Sequence, residues 1–213
     1  QCAYAQKISP SVNVRVSAVN GVFIERNGNT LVVYGDPLAE KKKADIVLFT
    51  HFRRDVMWAG RSLVEGGSPA VVPASQKAYF VEVDSIWSNF TKARFHDYAN
   101  QTTKIAITPL QVHRFVSGGE SLNWQDIKFK VLNTPGYTRG SVSYMADIDD
   151  KRFVFTGDLI YGDGKLFDLY SFQDSLQGVD GYHGYAARLG QLIVSLKMLA
   201  DQKPHFLIPS RGP

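Results

Sequence analysis

Three loops of this chain carry side chains that can move protons or hold metals, and each follows an apolar run. The run Asp45-Ile46-Val47-Leu48-Phe49-Thr50 delivers His51-Phe52-Arg53-Arg54-Asp55-Val56. The run Phe153-Val154-Phe155-Thr156 ends in Gly157-Asp158, and Phe206-Leu207-Ile208-Pro209 ends in Ser210-Arg211-Gly212-Pro213. A fourth loop reads Asn133-Thr134-Pro135-Gly136-Tyr137-Thr138-Arg139-Gly140-Ser141. Imidazole and carboxylate groups serve as general bases and as nitrogen and oxygen ligands for divalent metals. A strand that hands a His and an Asp to the next loop is a common way for hydrolases to present such ligands. Arg53 and Arg211 cannot ligate a metal, because guanidinium stays protonated, but their planar forks suit carboxylates.

In this order and spacing the four segments resemble the motifs of the metallo-β-lactamase superfamily. His51 and Asp55 match its T-H-x-H-x-D-H signature, while Arg53 and Val56 stand at histidine positions. The Thr134 to Ser141 segment matches T-P-G-H-T-x-G-S with Tyr137 for histidine. Asp158 completes the G-D motif, and Arg211 replaces the last histidine. The resemblance covers almost the whole chain. It implies a four-layer αββα sandwich, two mixed β-sheets flanked by helices. It also implies a site in which one metal would take positions 51, 53 and 137, a second would take 55, 56 and 211, and Asp158 would bridge them. Only His51, Asp55 and Asp158 keep ligand chemistry at these seven positions.

A hydrolytic zinc ion takes three protein ligands and an open position for water. The retained set therefore leads us to expect no metal cofactor. Without metal, Asp55 and Asp158 would be facing, buried acids. We expect Arg53 or Arg211 to contact at least one of them, because an unpaired buried charge costs several kcal/mol. The first functional expectation is thus a pseudoenzyme or binding domain. Its candidate catalytic positions are His51, Asp55, Asp158 and Tyr137, and its candidate anion-binding residues are Arg53, Arg211 and His183. Its ligand would be a small anionic molecule or a protein partner. The alternative is an atypical mono-metal hydrolase of esters, thioesters, lactams or phosphoesters. It would bind zinc or another divalent metal through His51, Asp55, Asp158 and His183, the last in Gly181-Tyr182-His183-Gly184-Tyr185. A third reading, metal-free catalysis with His51 as base, lacks any marked nucleophile.

Plainer readings stand beside these. Asp55 could cap the helix after it, Tyr137 could be a packing residue, and Arg211 could be solvated. His96, His113 and His205 lack ligand-like spacing.

The 213 residues are enough for one domain with a large core, and 44% hydrophobic with 21% charged residues is an ordinary globular balance. We read residues 1–10 as an N-terminal tail and 11–213 as a single domain. The net charge of +4 is spread along the chain apart from Lys41-Lys42-Lys43, so no nucleic-acid-binding stripe is expected. No apolar run reaches the ~20 residues of a transmembrane helix. Cys2 is the single cysteine, which excludes an internal disulfide and a thiolate cluster. The start at Gln1 leads us to expect a removed leader, and so a bacterial periplasmic or secreted location over a cytoplasmic one.

The elements that must position the loops follow from pattern. Residues 12 to 16 alternate like a half-buried strand, and Asn27-Gly28 between residues 21–24 and 30–34 signals a type I′ hairpin. Residues 45–50 form a buried strand, and a short helix follows the Arg53 loop. Residues 70–73 form another strand, and a helix capped by Ser75 carries Ala78, Tyr79, Ile86, Trp87 and Phe90 inward. Strands are expected at 104–108 and 127–132, and a hairpin joins 142–146 to 152–155 across Asp147 to Asp150. Leu189, Leu192, Ile193, Leu196 and Leu199 place a helix over 185–200, and 205–209 is the last strand.

Overall fold

The structure, a computed structural model, describes residues 4–93, 105–166 and 185–212, with side chains for 4–88, 105–166 and 189–212. Among the described residues the strands form two mixed sheets. The first has seven strands in sequence order: β1 (Tyr4–Lys7), β2 (Val12–Val16), β3 (Gly21–Arg26), β4 (Asn29–Val33), β5 (Ile46–Leu48), β6 (Ala70–Pro73) and β7 (Arg114–Val116). Its first four strands are antiparallel, and β4 to β7 run parallel. The second contains β8 (Ser121–Trp124), β9 (Ile127–Asn133), β10 (Val142–Ile148), β11 (Lys151–Gly157) and β12 (Phe206–Pro209), in the order β12-β11-β10-β9-β8. Helices α1 (Arg54–Glu65), α2 (Lys77–Val81), α3 (Val83–Ala93) and α4 (Tyr185–Asp201) flank the sheets. No helix of the described residues is long and apolar enough to cross a membrane.

Local chemistry accounts for the turns. Asn27 and Gly28 have φ of 52° and 76°, and Arg26 pairs with Asn29, so this is the two-residue turn that the Asn-Gly pair favours. Asp149 and Asp150, at φ 50° and 60°, make an equally tight turn between β10 and β11. The β10–β11 strands therefore run closer to the turn than the sequence pattern places them. Asp tolerates the left-handed region because its short side chain bonds locally.

The two sheets are stapled through tyrosines as well as packed. Phe49, Phe129, Phe153 and Phe155 are all fully buried, and each such side chain stabilises by about 1.5–3 kcal/mol. The Tyr144 hydroxyl donates to the Phe49 carbonyl at 3.0 Å. The Tyr34 hydroxyl donates to the Ile208 carbonyl at 2.6 Å and accepts the Gly157 N–H at 2.9 Å. Both bridges run under the ends of β5 and β11, where the candidate loops begin.

Helix α1 is held at the end of β4 by a close backbone approach. Gly35 has φ +143°, and a Cβ there would strike the backbone of Ala59 and Gly60. The Asp36 N–H also donates to the Ala59 carbonyl at 2.7 Å. The position of α1 sets where Asp55, in its first turn, can point.

Three sequence expectations are corrected. Residues 4–7, read as part of a tail, form edge strand β1 on β2; all four are exposed, so no burial period marks them. Ser75 does not cap a helix. Its hydroxyl donates to the Gly140 carbonyl at 2.9 Å, and the segment breaks into a 3-10 turn (Ala74–Gln76), α2 and α3. Among the described part of 104–108, only an isolated bridge from Ile105 to Arg53 appears in place of a strand. The short strands β7 and β8 carried too few buried positions to show a period. Phe90's side chain and His96 lie outside the described residues.

Asp149 ties the β10–β11 turn to the N-terminal strands. Its carboxylate accepts from Ser9 Oγ at 2.7 Å, Ser11 N at 2.7 Å, Ser11 Oγ at 2.9 Å and Arg26 Nη1 at 3.3 Å. Burial pushes this carboxyl up, but the serine and arginine donors outweigh it and hold it below the ordinary range. Asp149→Asn, which keeps the left-handed backbone accessible, is expected to cost about 1–2 kcal/mol at pH 7. A depressed carboxyl stabilises above its unfolded pKa of about 3.9 and loses that as pH falls through its folded value. The difference between wild type and variant in urea unfolding should therefore shrink below about pH 4. An unchanged difference at pH 3 would assign the effect to shape instead of charge.

Candidate functional site

His51 leaves the C-terminal end of β5, one of the parallel strands, where ligand-carrying loops of such sheets cluster. Its alternation with Phe52 sends the two rings in different directions. Phe52, 3% exposed, stacks on Tyr79 with centroids 3.6 Å apart, which anchors the loop. His51 is itself 1% exposed. Its Nδ1 lies 2.9 Å from Thr50 Oγ1, and its Nε2 lies 3.5 Å from Asp158 Oδ2, too long for a strong hydrogen bond.

Asp158 arrives from the other sheet, at the end of β11. Gly157 makes this approach possible, because at φ +63° a Cβ would meet Thr50 Oγ1 and lie 3.1 Å from His51 Nδ1. The Asp158 side chain is fully buried. Burial would raise its pKa, but the neighbouring His51 ring, Arg211 and Arg53 reverse this and hold it far below the ordinary carboxylate range. Ser210, at the end of β12, donates its hydroxyl to Asp158 Oδ1.

Arg53 and Arg211 close a ring around the two acids. Arg53 Nη1 lies 3.0 Å from Asp158 Oδ2, and its Nε lies 3.2 Å from Asp55 Oδ1. Arg211 Nε lies 3.1 and 3.2 Å from the two Asp158 oxygens, and its Nη2 bonds Asp55 Oδ2. Two cations and two anions thus alternate around one cycle, Asp158-Arg53-Asp55-Arg211, whose formal charges cancel. The Arg211 Nη1 also donates to the Ala18 carbonyl at 3.0 Å, in the turn between β2 and β3. The contact expected from charge alone is present from both arginines to both aspartates.

Tyr137 sits in the loop between β9 and β10 at 1% exposure. Its ring meets His51 edge-on, with centroids 5.0 Å apart and planes at 79°. The Arg53 guanidinium lies 5.8 Å from the Tyr137 centroid. Burial first, and then Asp158, push the Tyr137 hydroxyl well above its usual pKa, against the pull of Arg53 and Arg211. It is a neutral hydroxyl at pH 7, unsuited to act as a base. Its loop is seated on the first layer by the Gln76 amide to Thr138 and by Ser75 to Gly140.

The structure thus gathers His51, Arg53, Asp55, Tyr137, Asp158 and Arg211 into one place. Val56 is fully buried among core side chains. Asp55 lies inside the first turn of α1 and not at its N-cap, which is Arg53, but its Oδ1 accepts the first-turn Val56 N–H at 3.0 Å. His183 lies outside the described residues, and His113 and His205 are exposed. Three residues escaped sequence reasoning. Ser210 bonds Asp158 and Tyr34 bonds the Gly157 N–H before it, and the Tyr161 hydroxyl is pushed up to about 12 by burial and then by the charge of Asp158. Only the position of Ser210 beside Arg211 gave any signal. Among the described residues, no three His, Cys, Asp or Glu side chains come together as a metal-holding group.

The fold is that of the metallo-β-lactamases. The metallo-β-lactamase GOB-18 from Elizabethkingia meningoseptica superposes with a TM-score of 0.65 at 14% identity, covering 99% of this chain and 77% of that one. A Cronobacter sakazakii metallo-β-lactamase described by its HARLDQ motif gives 0.64 at 12% identity, covering 98% and 73%. In sequence, a hydroxyacylglutathione hydrolase of the same superfamily, from Brucella ovis, is 41% identical over 59 residues. That match spans 27% of this chain and 22% of the relative. No protein-family profile matches the chain.

Proposed function

We propose that this protein is a metallo-β-lactamase-fold domain in which the Arg53/Arg211–Asp55/Asp158 ring takes the place of a di-zinc centre, and that it binds a partner instead of hydrolysing one. The observation that carries this reading is the ring itself. The lone pairs that the two acids would offer to metals are already engaged: Asp158 accepts guanidinium N–H bonds from both arginines, and Asp55 accepts one from Arg211 and the Val56 N–H. The donors that remain are one imidazole and two carboxylates engaged in ion pairs, a poor fit for zinc, which favours three or four N, S or O ligands in tetrahedral array. Because the ring is neutral, it has no spare charge for an anionic ligand, so any anion must be attracted by a cation outside it.

A second reading is favoured by one specific comparison. The HARLDQ motif of the Cronobacter protein, set beside His51-Phe52-Arg53-Arg54-Asp55-Val56, has the same His, Arg and Asp at first, third and fifth positions. An arginine at position 53 is therefore compatible with a protein called a metallo-β-lactamase. On this reading the chain is an atypical mono-metal hydrolase using His51, Asp158, Asp55 and His183, acting on an ester, thioester, lactam or phosphoester. The bound metal would supply a water of lowered pKa.

Metal analysis by plasma mass spectrometry separates the two. After exposure to zinc and extensive washing, the expected content is below about one tenth of an equivalent, as the missing ligands require. Retention near one equivalent of zinc, manganese or iron would overturn the metal-free reading. Esterase, thioesterase and lactamase assays on the loaded protein would then follow, with His51→Ala and His183→Ala as tests of the ligand set.

A further inference from the structure

The outer face of α1 carries a groove that neither reading above uses. It is an open groove of about 750 Å³ and shares Asp55 with the arginine–carboxylate ring, a size within the usual range for small-molecule sites. Arg54 and Trp58 both line it, one helical turn apart, and Val19 and Pro37 form part of its apolar wall. Trp58 is 57% exposed, a large ring left in water. Arg61, one turn further on, lies 5.7 Å from the Trp58 centroid and backs the ring. It is itself fixed by the carbonyls of Thr108 and Pro109 at 3.0 Å each. A ring braced this way keeps a second face for a ligand at little entropic cost.

The charges of the groove point to the ligand's chemistry. Asp36 is paired with Arg15, Asp55 with Arg53 and Arg211, and Glu65 with Arg61. Among the described residues Arg54 is the lining cation with no hydrogen bond, ion pair or ring contact. We propose that this groove binds a planar aromatic ring bearing an anionic group, with the ring stacked on Trp58 and the anion on the Arg54 fork. Stacking on an aromatic face and a bidentate guanidinium contact are each favourable. Binding here is independent of whether the ring of arginines or a metal occupies the neighbouring site.

Isothermal titration calorimetry with 2-naphthoate tests this, with 2-naphthamide and acetate as probes that lack the charge or the ring. The expected result is saturable binding of 2-naphthoate, weakened about fivefold or more by Arg54→Gln and by Trp58→Leu separately. The amide and acetate should bind more weakly by a similar factor. Trp58 is exposed and Arg54 is partly buried, so thermal unfolding should confirm that each variant is folded. Absence of saturable 2-naphthoate binding, or binding that both folded variants retain within about twofold, would overturn the proposal. Equal binding of naphthoate and naphthamide would overturn the anionic part, because it would mean that Arg54 does not select charge.

Discussion

Asp158→Asn is expected to destabilise the protein by about 3–5 kcal/mol, the cost of leaving buried guanidinium groups without their carboxylate. For a chain of this length that corresponds to roughly 10 °C in melting temperature, at about 2–4 °C per kcal/mol. Three features put the effect at the large end. Asp158 is fully buried, both arginines reach it, and their side chains are only 13% and 15% exposed. The Ser210 hydroxyl also loses its charged acceptor. The opposite sign is expected of a pocket organised around a metal. There, in chelated protein, two facing carboxylates repel, and neutralising one would leave stability unchanged or raise it. Urea unfolding of wild type and variant in chelator decides between these. Adding Arg53→Met to Asp158→Asn should cost less than the sum of the two single changes, by about 0.5–3 kcal/mol, because both sever the same ion pair.

The second large effect is a gain. Arg53→His together with Tyr137→His would add two imidazoles beside His51. Zinc retention is expected to rise from below about a tenth to about one equivalent, since three protein ligands and a water make a complete tetrahedral site. The geometry favours it. The rings of His51 and Tyr137 already have centroids 5.0 Å apart, about the spacing that two imidazoles take on one zinc with Zn–N bonds of 2.0–2.1 Å. Plasma mass spectrometry after washing measures the metal, and near-ultraviolet circular dichroism reports whether the variant packs. A folded variant that holds no zinc would mean that positions 51, 53 and 137 do not converge as ligands. The motif-based mapping of the first metal site would then fail. The lost Arg53–Asp158 pair makes the variant less stable without metal, so zinc should also raise its melting temperature by mass action.

These two experiments probe the same site from its two sides, charge balance and donor set. Neither depends on knowing the ligand. They also bear on the comparison with the Cronobacter motif. If the native chain retains metal despite Arg53, then Arg53 must be able to leave Asp158, and the ring is one of two arrangements instead of a fixed replacement.

Much of the scaffold is legible in the sequence alone. The residue 45–50 run is apolar on successive positions because β5 lies between parallel β4 and β6, both faces covered. Asn27-Gly28 announced its turn because few other residue pairs tolerate two left-handed positions in succession. The four motif segments stood in the right order, and the loops after β5, β9, β11 and β12 are where the structure places them. The failures were local. Exposed β1 has no buried side to betray it, and three-residue β7 is shorter than a detectable period.

What the sequence by itself determined is which side chains the strand ends deliver: one imidazole, two carboxylates and two guanidiniums at positions where a metal site would hold mostly histidines. It also led to the expectation that buried carboxylates here need cations, which applies to the fully buried Asp158, while the Asp55 side chain is 36% exposed. The tertiary structure alone decided that the partners form a closed ring, that Ser210 bonds Asp158 and Tyr34 bonds the neighbouring Gly157, and that Arg54 is left outside it. The physical reason is separation. Arg53 and Asp158 are 105 positions apart and Arg211 and Asp55 are 156 apart, so their contact depends on how two sheets pack and not on any local pattern. Periodicity reports which side of its own element a residue occupies. The distance between two such residues is set by packing across the core.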